Sequence, residues 1–158
     1  MPVEIGDTAP EFTLKNQDSE DMSLSDYKGE NIVLLFFPFA FSSVCTKEMR
    51  RMQDEFNNNL DLDAQVIGIS VDSPYTLKIF RDMNKLNFNL LSDFNKEVSR
   101  KYDSLYELYN PEKYSYNGVS KRSAFVIGRD GKIKYKEICP TPGDQPDYDS
   151  IKKTLEND

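Results

Sequence analysis

Residues 32–45 read IVLLFFPFAFSSVC, and this stretch decides the fold. Its first six residues are apolar, β-branched or aromatic without a break, a pattern typical of a central strand buried on both faces. Pro38 then ends the strand, because proline has no N–H to donate to a neighbouring strand. A short loop follows, and Cys45 falls where the next helix should begin.

A helix is predicted directly after this loop. Ser42 and Ser43 are candidate N-caps, since a serine hydroxyl accepts hydrogen bonds from the free backbone N–H groups of a first turn. The apolar residues that follow recur at spacings of 4, 3 and 4, which places them on one helical face: Cys45, Met49, Met52 and Phe56. The cysteine therefore lies in the first turn of the predicted helix.

Other strands and helices alternate on both sides of this unit. Strands are predicted as a hairpin at 11–14 and 21–24, and then at 65–71, 88–91, 123–127 and 133–138. Helices are predicted after Ser73-Pro74, after Ser92-Asp93 and at the end of the chain, whereas residues 103–118, polar and rich in tyrosine, are predicted as a long loop. We therefore expect one α/β domain, residues 1–158, with a central mixed β-sheet flanked by helices on both faces. This order resembles the thioredoxin-like fold with an extra N-terminal β-hairpin.

Composition excludes several classes of function. The 158 residues include 20 basic and 27 acidic side chains, and a net charge of −7 argues against nucleic-acid binding. No apolar run approaches the roughly 20 residues of a membrane helix. The absence of histidine removes Ser-His-Asp and Cys-His catalytic pairs and histidine zinc sites. Two cysteines are too few for a four-cysteine zinc site or a disulfide scaffold, and with no signal-peptide pattern they predict a cytoplasmic protein.

Cys45 is the residue with the clearest chemical potential. Free N–H groups at a helix N-terminus carry partial positive charge, so we expect the pKa of this thiol to fall. With no histidine in the chain, the helix terminus and an arginine are the remaining means of activation. The alternative is structural, because Cys45 shares a face with apolar residues and buried cysteines commonly act as small hydrophobes.

The residues around Cys45 resemble the peroxiredoxin active-site motif, as Pro38-x-x-x-Ser42-x-x-Cys45. The resemblance covers nearly the whole chain. Residues 9–12, APEF, are similar to the family's N-terminal strand, and residues 121–127, KRSAFVI, are similar to the strand that carries its second catalytic residue, Arg122. The resemblance implies a thioredoxin-like fold and a thiol peroxidase that needs no metal, haem or flavin.

The family's roles transfer position by position. Cys45 would be the peroxidatic thiolate, Ser42 would bond the thiolate and peroxide, Arg122 would stabilise the developing charge, and Pro38 would cover the pocket. Each has a structural alternative: Ser42 as a helix cap, Arg122 as an exposed residue at a strand start, and Pro38 as a strand terminator. Glu48 either orients the arginine, as an acid does in the family, or complements the helix dipole.

The role of the second cysteine in the catalytic cycle has two alternatives. One subgroup of the family has a resolving cysteine five positions after the peroxidatic one, but that position holds Arg50. Cys139 is the remaining candidate, and a buried cysteine at a strand end is the alternative. In the second case an external thiol, such as a thioredoxin-like protein, would reduce the sulfenic acid.

The sequence thus favours a thiol peroxidase for hydrogen peroxide or small alkyl hydroperoxides. A peroxide sensor that oxidises a partner protein, and a non-catalytic interaction module, are the alternatives. The family resemblance implies a homodimer with its interface near the active-site loops. Five tyrosines either line a self-association surface or cover the protein's own sheet: Tyr102, Tyr106, Tyr109, Tyr114 and Tyr116.

Overall fold

A computed structural model describes residues 3–157, which contain nine strands. Their bounds are β1 Thr13–Asn16, β2 Asp21–Ser23, β3 Asn31–Phe36, β4 Ala64–Ser70, β5 Asn89–Ser92, β6 Leu105–Tyr109, β7 Tyr116–Ser120, β8 Ser123–Ile127 and β9 Ile133–Ile138. Seven of them form the main sheet, in the order β2-β1-β5-β4-β3-β8-β9. Strands β3, β4 and β5 are parallel, whereas β1, β8 and β9 run antiparallel to their neighbours. The predicted mixed sheet and N-terminal hairpin are confirmed.

Helices cover both faces of this sheet, as predicted. Their bounds are α1 Ser43–Met52, α2 Pro74–Met83, α3 Glu97–Lys101 and α4 Tyr148–Glu156. Helix α1 continues into a wider π-type turn, Gln53–Asn57, and a short 3-10 turn, Leu24–Tyr27, follows β2. Apolar residues of α1, α2 and α4 pack on one face of the sheet, and residues of α3 and the N-terminal segment pack on the other. The arrangement is thioredoxin-like.

Strand β3 holds the centre of the sheet, between β4 and β8. All six of its residues are buried, in agreement with the continuous apolar run. It begins and ends one residue earlier than predicted, but the N–H of Phe37 still donates to the carbonyl of Ile69 at 3.0 Å, an ordinary hydrogen-bond distance. Because β3 and β4 are parallel, the loops that follow them leave the same edge of the sheet.

The prediction of a loop over residues 103–118 is wrong. Strands β6 and β7 form a separate antiparallel hairpin in which Tyr109 pairs with Tyr116. Aromatic stacking contributes to its stability, since the Tyr114 ring lies 6.1 Å from that of Tyr109 and 5.2 Å from that of Tyr116. The polar composition concealed residues with high strand propensity.

The predicted domain, 1–158, includes residues 1, 2 and 158, which lie outside the described residues, and the single-domain assignment stays a prediction. Within residues 3–157, no helix combines the length and the apolar character that a membrane span requires.

Candidate active site

Cys45 lies in the first turn of α1, as predicted, at the edge of the sheet where β3 and β4 end. Residues 37–42 form the loop that leads from β3 into this helix. The thiol is fully buried, with 0% of the residue exposed. It packs with Phe37, Met49 and the apolar residues of β4 in the larger core cluster. Burial alone would suit a structural cysteine, but the polar neighbours of the thiol differ from those of a core residue.

Arg122 connects the thiol to a carboxylate. It immediately precedes β8, which neighbours β3, and only 1% of it is exposed. Its Nη2 lies 3.3 Å from Cys45 Sγ, and its Nη1 donates to Glu48 Oε1 at 2.6 Å. Nε and Nη2 also donate to the carbonyl of Pro142, at 3.2 and 2.8 Å. The alternative of an exposed arginine is therefore wrong.

Glu48 is completely buried and faces Arg122 from the same turn of α1 as Cys45. Burial raises the pKa of its carboxyl to about 7, although Arg122 opposes the rise. Its Oε2 has no hydrogen-bond partner among the described residues. The contact with Arg122 matches the arginine-orienting position better than a surface position complementing the helix dipole.

Ser42 precedes α1, but its hydroxyl does not cap the helix. The hydroxyl donates to the carbonyl of Phe39 at 3.1 Å, and the carbonyl of Ser42 accepts the Thr46 N–H at 2.9 Å. The hydroxyl lies close enough to Cys45 to lower the pKa of the thiol. The Ser42 side chain therefore lies beside Cys45 and bonds the preceding loop instead of the free N–H groups of the first turn.

Pro38 is buried and belongs to the wall of a cavity of about 190 Å³ beside Cys45. The other lining residues come from the loop, α1, β6, the residue before β8 and the segment after β9: Phe39, Ser42, Ser43, Val44, Tyr109, Arg122, Pro142 and Gly143. A water molecule needs only about 10–15 Å³ of such volume, so the cavity has room for a small hydroperoxide. Its polar lining residues are Ser42, Ser43 and Arg122, and the others are largely apolar.

The expected fall in the pKa of Cys45 is wrong in direction. Burial of the thiol raises its pKa, and the nearby Glu48 carboxylate adds to the rise. The Arg122 guanidinium, the Ser42 hydroxyl and the N–H of Phe39 oppose it. The argument from the helix terminus did not include desolvation of the thiol, because a sequence does not show how deeply the first turn is buried. Of these three groups, Arg122 donates directly to the sulfur, at 3.3 Å.

The sequence matches a known protein family over most of its length. Residues 5–136 match the model of the AhpC/TSA family. The chain is a peroxiredoxin of this family. It is 34% identical over 134 residues to peroxiredoxin Bcp of Escherichia coli, covering 85% of each chain. It is 35% identical over 151 residues to alkyl hydroperoxide reductase E of Mycobacterium tuberculosis, covering 92% of this chain and 91% of the relative.

Solved structures agree with this assignment. Peroxidoxin BcpB from Mycobacterium tuberculosis superimposes with a TM-score of 0.84 at 25% identity, over 98% of this chain and 97% of the other. A mutant of PrxQ from Xylella fastidiosa, in which a cysteine is replaced by serine, also gives 0.84, at 23% identity over 99% and 98% of the two chains, and so supports the fold. As a peroxiredoxin, the chain is a thiol-dependent peroxidase.

Cys139 follows β9 in this peroxiredoxin and is buried, with a free thiol. Its N–H donates to the carbonyl of Arg122 at 2.8 Å, so it lies opposite Arg122 across the β8–β9 pair. Burial, with the nearby Glu137 carboxylate as the second cause, raises the pKa of this thiol to about 12. The thiol therefore remains protonated at neutral pH, which makes it a poor nucleophile.

Sequence reasoning missed three groups at the site. Tyr109 lines the cavity from the hairpin predicted as a loop, and the high strand propensity of the tyrosines in this segment was the available signal. The carbonyl of Pro142 accepts two bonds from Arg122, but a backbone acceptor leaves no trace in a sequence. Asp72 bonds the active-site loop, and nothing in its sequence position indicates this. Within residues 3–157, no three Cys, Asp or Glu side chains are grouped as a metal site.

Proposed function

We propose that Cys45 is the peroxidatic residue of a peroxidase that reduces hydrogen peroxide and small alkyl hydroperoxides, and that an external thiol of the thioredoxin type completes the cycle. The observation that carries the proposal is the 3.3 Å contact between Arg122 Nη2 and Cys45 Sγ beside a cavity of about 190 Å³. A buried guanidinium on a buried sulfur is an arrangement that stabilises an anion.

In the reaction, the Cys45 thiolate attacks the nearer peroxide oxygen. The S–O bond forms as the O–O bond breaks, and the distal oxygen leaves as hydroxide or alkoxide, which takes a proton to become water or alcohol. Cys45 is oxidised to a sulfenic acid. Arg122 stabilises the charge on sulfur and on the leaving oxygen, because a fixed donor in a water-poor site needs little reorganisation. Ser42 bonds the peroxide, and Pro38 shields the sulfenic acid from bulk water.

Glu48 acts on this reaction through Arg122. Its carboxylate fixes one side of the guanidinium, at 2.6 Å, while Pro142 fixes the other. The five N–H donors of arginine are rigidly arranged, so these two anchors determine where the remaining N–H points. That direction is towards Cys45.

A one-cysteine cycle fits the position of Cys139 best. The backbone of Cys139 is bonded to Arg122, and its raised pKa keeps the thiol protonated. An external thiol would attack the Cys45 sulfenic acid, releasing water and forming a mixed disulfide. A second thiol would then release the Cys45 thiol and leave with the first as a disulfide. The free thiols also support the proposal that the protein works in the cytoplasm.

The test is the intact mass of reduced protein treated with one equivalent of hydrogen peroxide. It compares wild type, Cys45→Ser and, as the matched control, Cys139→Ser. We expect wild type and Cys139→Ser to gain one oxygen and lose the Cys45 thiol, and Cys45→Ser to remain unchanged. Loss of two hydrogens in wild type would instead make Cys139 the resolving residue. No rapid change in wild type would overturn the assignment and favour a non-catalytic module.

An exposed apolar patch supports the homodimer. Tyr75, Ile79 and Met83 are spaced by four on α2 and are 79%, 53% and 69% exposed. Phe41 of the active-site loop lies against the same helix, with its ring 5.2 Å from that of Phe80. We propose that a second copy covers this patch, next to the active site. Light scattering should show a dimer in wild type and a weaker dimer in Ile79→Glu. Leu60→Glu, at an exposed position after α1, is the control and should leave the dimer unchanged.

The tyrosines fall into two groups. Tyr102 lies in the core, where its ring is 5.3 Å from that of Phe125. The other four belong to the β6–β7 hairpin and its turn, and Phe39 of the active-site loop packs against Tyr109 at 5.5 Å and Tyr116 at 6.1 Å. This packing favours the hairpin as a wall of the active site over a surface for self-association.

A further inference from the structure

The loop at 37–42 has a strained backbone. Phe41 has a φ of +73°, in the left-handed region that bulky side chains rarely adopt. Strain of this kind persists only where surrounding contacts hold it, and it is common at functional sites. The ring of Phe41 is 48% exposed, so its packing alone is a weak restraint. Another contact must help to hold the loop in this shape.

Asp72 supplies such a contact from the neighbouring strand. It follows β4 by two residues, at the same edge of the sheet as the loop. Its Oδ2 accepts the N–H of Ala40 at 2.8 Å and the hydroxyl of Ser70 at 2.7 Å. Its own carbonyl accepts the hydroxyl of Ser92 at 2.6 Å. Ser70 of β4 thus holds the carboxylate, and Ser92 of β5 holds the backbone of Asp72, while the carboxylate bonds the loop.

One peptide unit connects Asp72 to the groups around the sulfur. The N–H of Ala40 and the carbonyl of Phe39 belong to the same planar unit, so fixing the N–H also fixes the carbonyl. That carbonyl accepts the Ser42 hydroxyl at 3.1 Å, so its position determines where the Ser42 side chain lies beside Cys45. Polarisation along such a chain strengthens each bond. Asp72 therefore acts on Ser42, and through it on the surroundings of the thiol, without touching Cys45.

We propose that Asp72 is a positioning residue for the peroxidase reaction, which holds the active-site loop, and with it the Ser42 side chain, beside Cys45 through the Phe39–Ala40 peptide. The inference rests on the proposed role of Cys45. It explains why a loop with a strained aromatic residue is bonded to a partly buried carboxylate that forms no ion pair within residues 3–157.

The test compares Asp72→Ala, Asp72→Asn and Asp93→Ala. Asp93 is a matched control because its buried carboxylate also accepts backbone N–H groups, those of Val98 at 3.2 Å and Ser99 at 2.6 Å, but it contacts α3 instead of the active-site loop. The measurements are the thiolate absorbance of Cys45 against pH, the rate constant for peroxide by stopped flow, and thermal unfolding.

We expect Asp72→Ala to raise the pKa of Cys45 and to slow oxidation about tenfold, less than the roughly 10²–10³ that loss of a direct oxyanion donor costs. Asp72→Asn should recover part of the rate, because its amide oxygen still accepts the Ala40 N–H. Asp93→Ala should lower the melting temperature and leave the pKa and rate unchanged. A folded Asp72→Ala variant with the wild-type pKa and rate would refute the inference while leaving Cys45 in place. If Asp72→Ala and Asp93→Ala slowed oxidation equally, the effect of Asp72→Ala would be general destabilisation, and the inference would fail. If wild-type Cys45 itself fails to react, both proposals fall.

Discussion

The buried Glu48–Arg122 pair should make the stability of the protein depend on pH, and Glu48→Gln should remove that dependence. Burial raises the pKa of Glu48 from 4.5 to about 7 in the folded protein. Between these values the folded state retains a proton that the unfolded state has lost, so the free energy of unfolding falls as pH rises. At about 1.36 kcal/mol for each tenfold change in proton affinity, the full loss is about 3 kcal/mol. Below the unfolded pKa of 4.5 Glu48 is protonated in both states, so it no longer makes the free energy of unfolding depend on pH.

The assay is urea unfolding of wild type and Glu48→Gln at intervals from about pH 4 to pH 8. The substituted glutamine has no proton to lose, so the difference between the two proteins should change by about 3 kcal/mol across the window. Glu107→Gln is the matched control, because Glu107 also pairs with an arginine, Arg100, at 2.9 Å, but is 67% exposed. Exposed pairs contribute about 0–1 kcal/mol, so its difference from wild type should stay small and flat. Parallel curves for wild type and Glu48→Gln would refute the reasoning.

Three further substitutions test other contacts. Arg122→Lys cannot bond Cys45, Glu48 and Pro142 together, so the stopped-flow rate of peroxide reduction should fall about 10²–10³-fold, and a rate within about twofold of wild type would contradict the role of the guanidinium. Tyr102→Phe loses a 2.7 Å bond to the carbonyl of Pro10 and should cost about 1 kcal/mol in urea unfolding with no change in the oxidation rate. Gly68→Ala in β4 would bring a Cβ to 2.8 Å from Leu90 Cδ2 of β5 and should cost about 1–3 kcal/mol, whereas an unchanged midpoint would mean that the core yields there.

The sequence was sufficient to predict the elements whose apolar pattern corresponds directly to their packing. The run at 32–37 predicted β3 because a strand buried on both faces has no polar positions. Cys45 fell in the first turn of α1 because the end of β3 and the spacing of Met49 and Met52 independently locate the helix. These patterns are local, and they held wherever packing and propensity agreed.

The remainder depended on contacts between distant parts of the chain. The β6–β7 hairpin is stabilised by stacking among tyrosines and against Phe39, which lies 70 residues before Tyr109. The pKa of Cys45 rises because the surrounding core excludes water from the thiol, and no local pattern measures that burial. The anchoring of Arg122 by a backbone carbonyl is equally invisible, because every residue has one.

The charges at the site explain why a carboxylate that disfavours the thiolate is nevertheless present. Removing Glu48 would leave Arg122 without its partner in a buried position, which is costly in any protein. Keeping Glu48 ionised raises the pKa of Cys45. When Glu48 is protonated, its charge no longer adds to the pKa of Cys45, so the thiol ionises more readily beside a neutral Glu48. The thiolate and the Glu48 carboxylate therefore compete for the one buried guanidinium, and Arg122 stabilises the thiolate most when Glu48 is neutral.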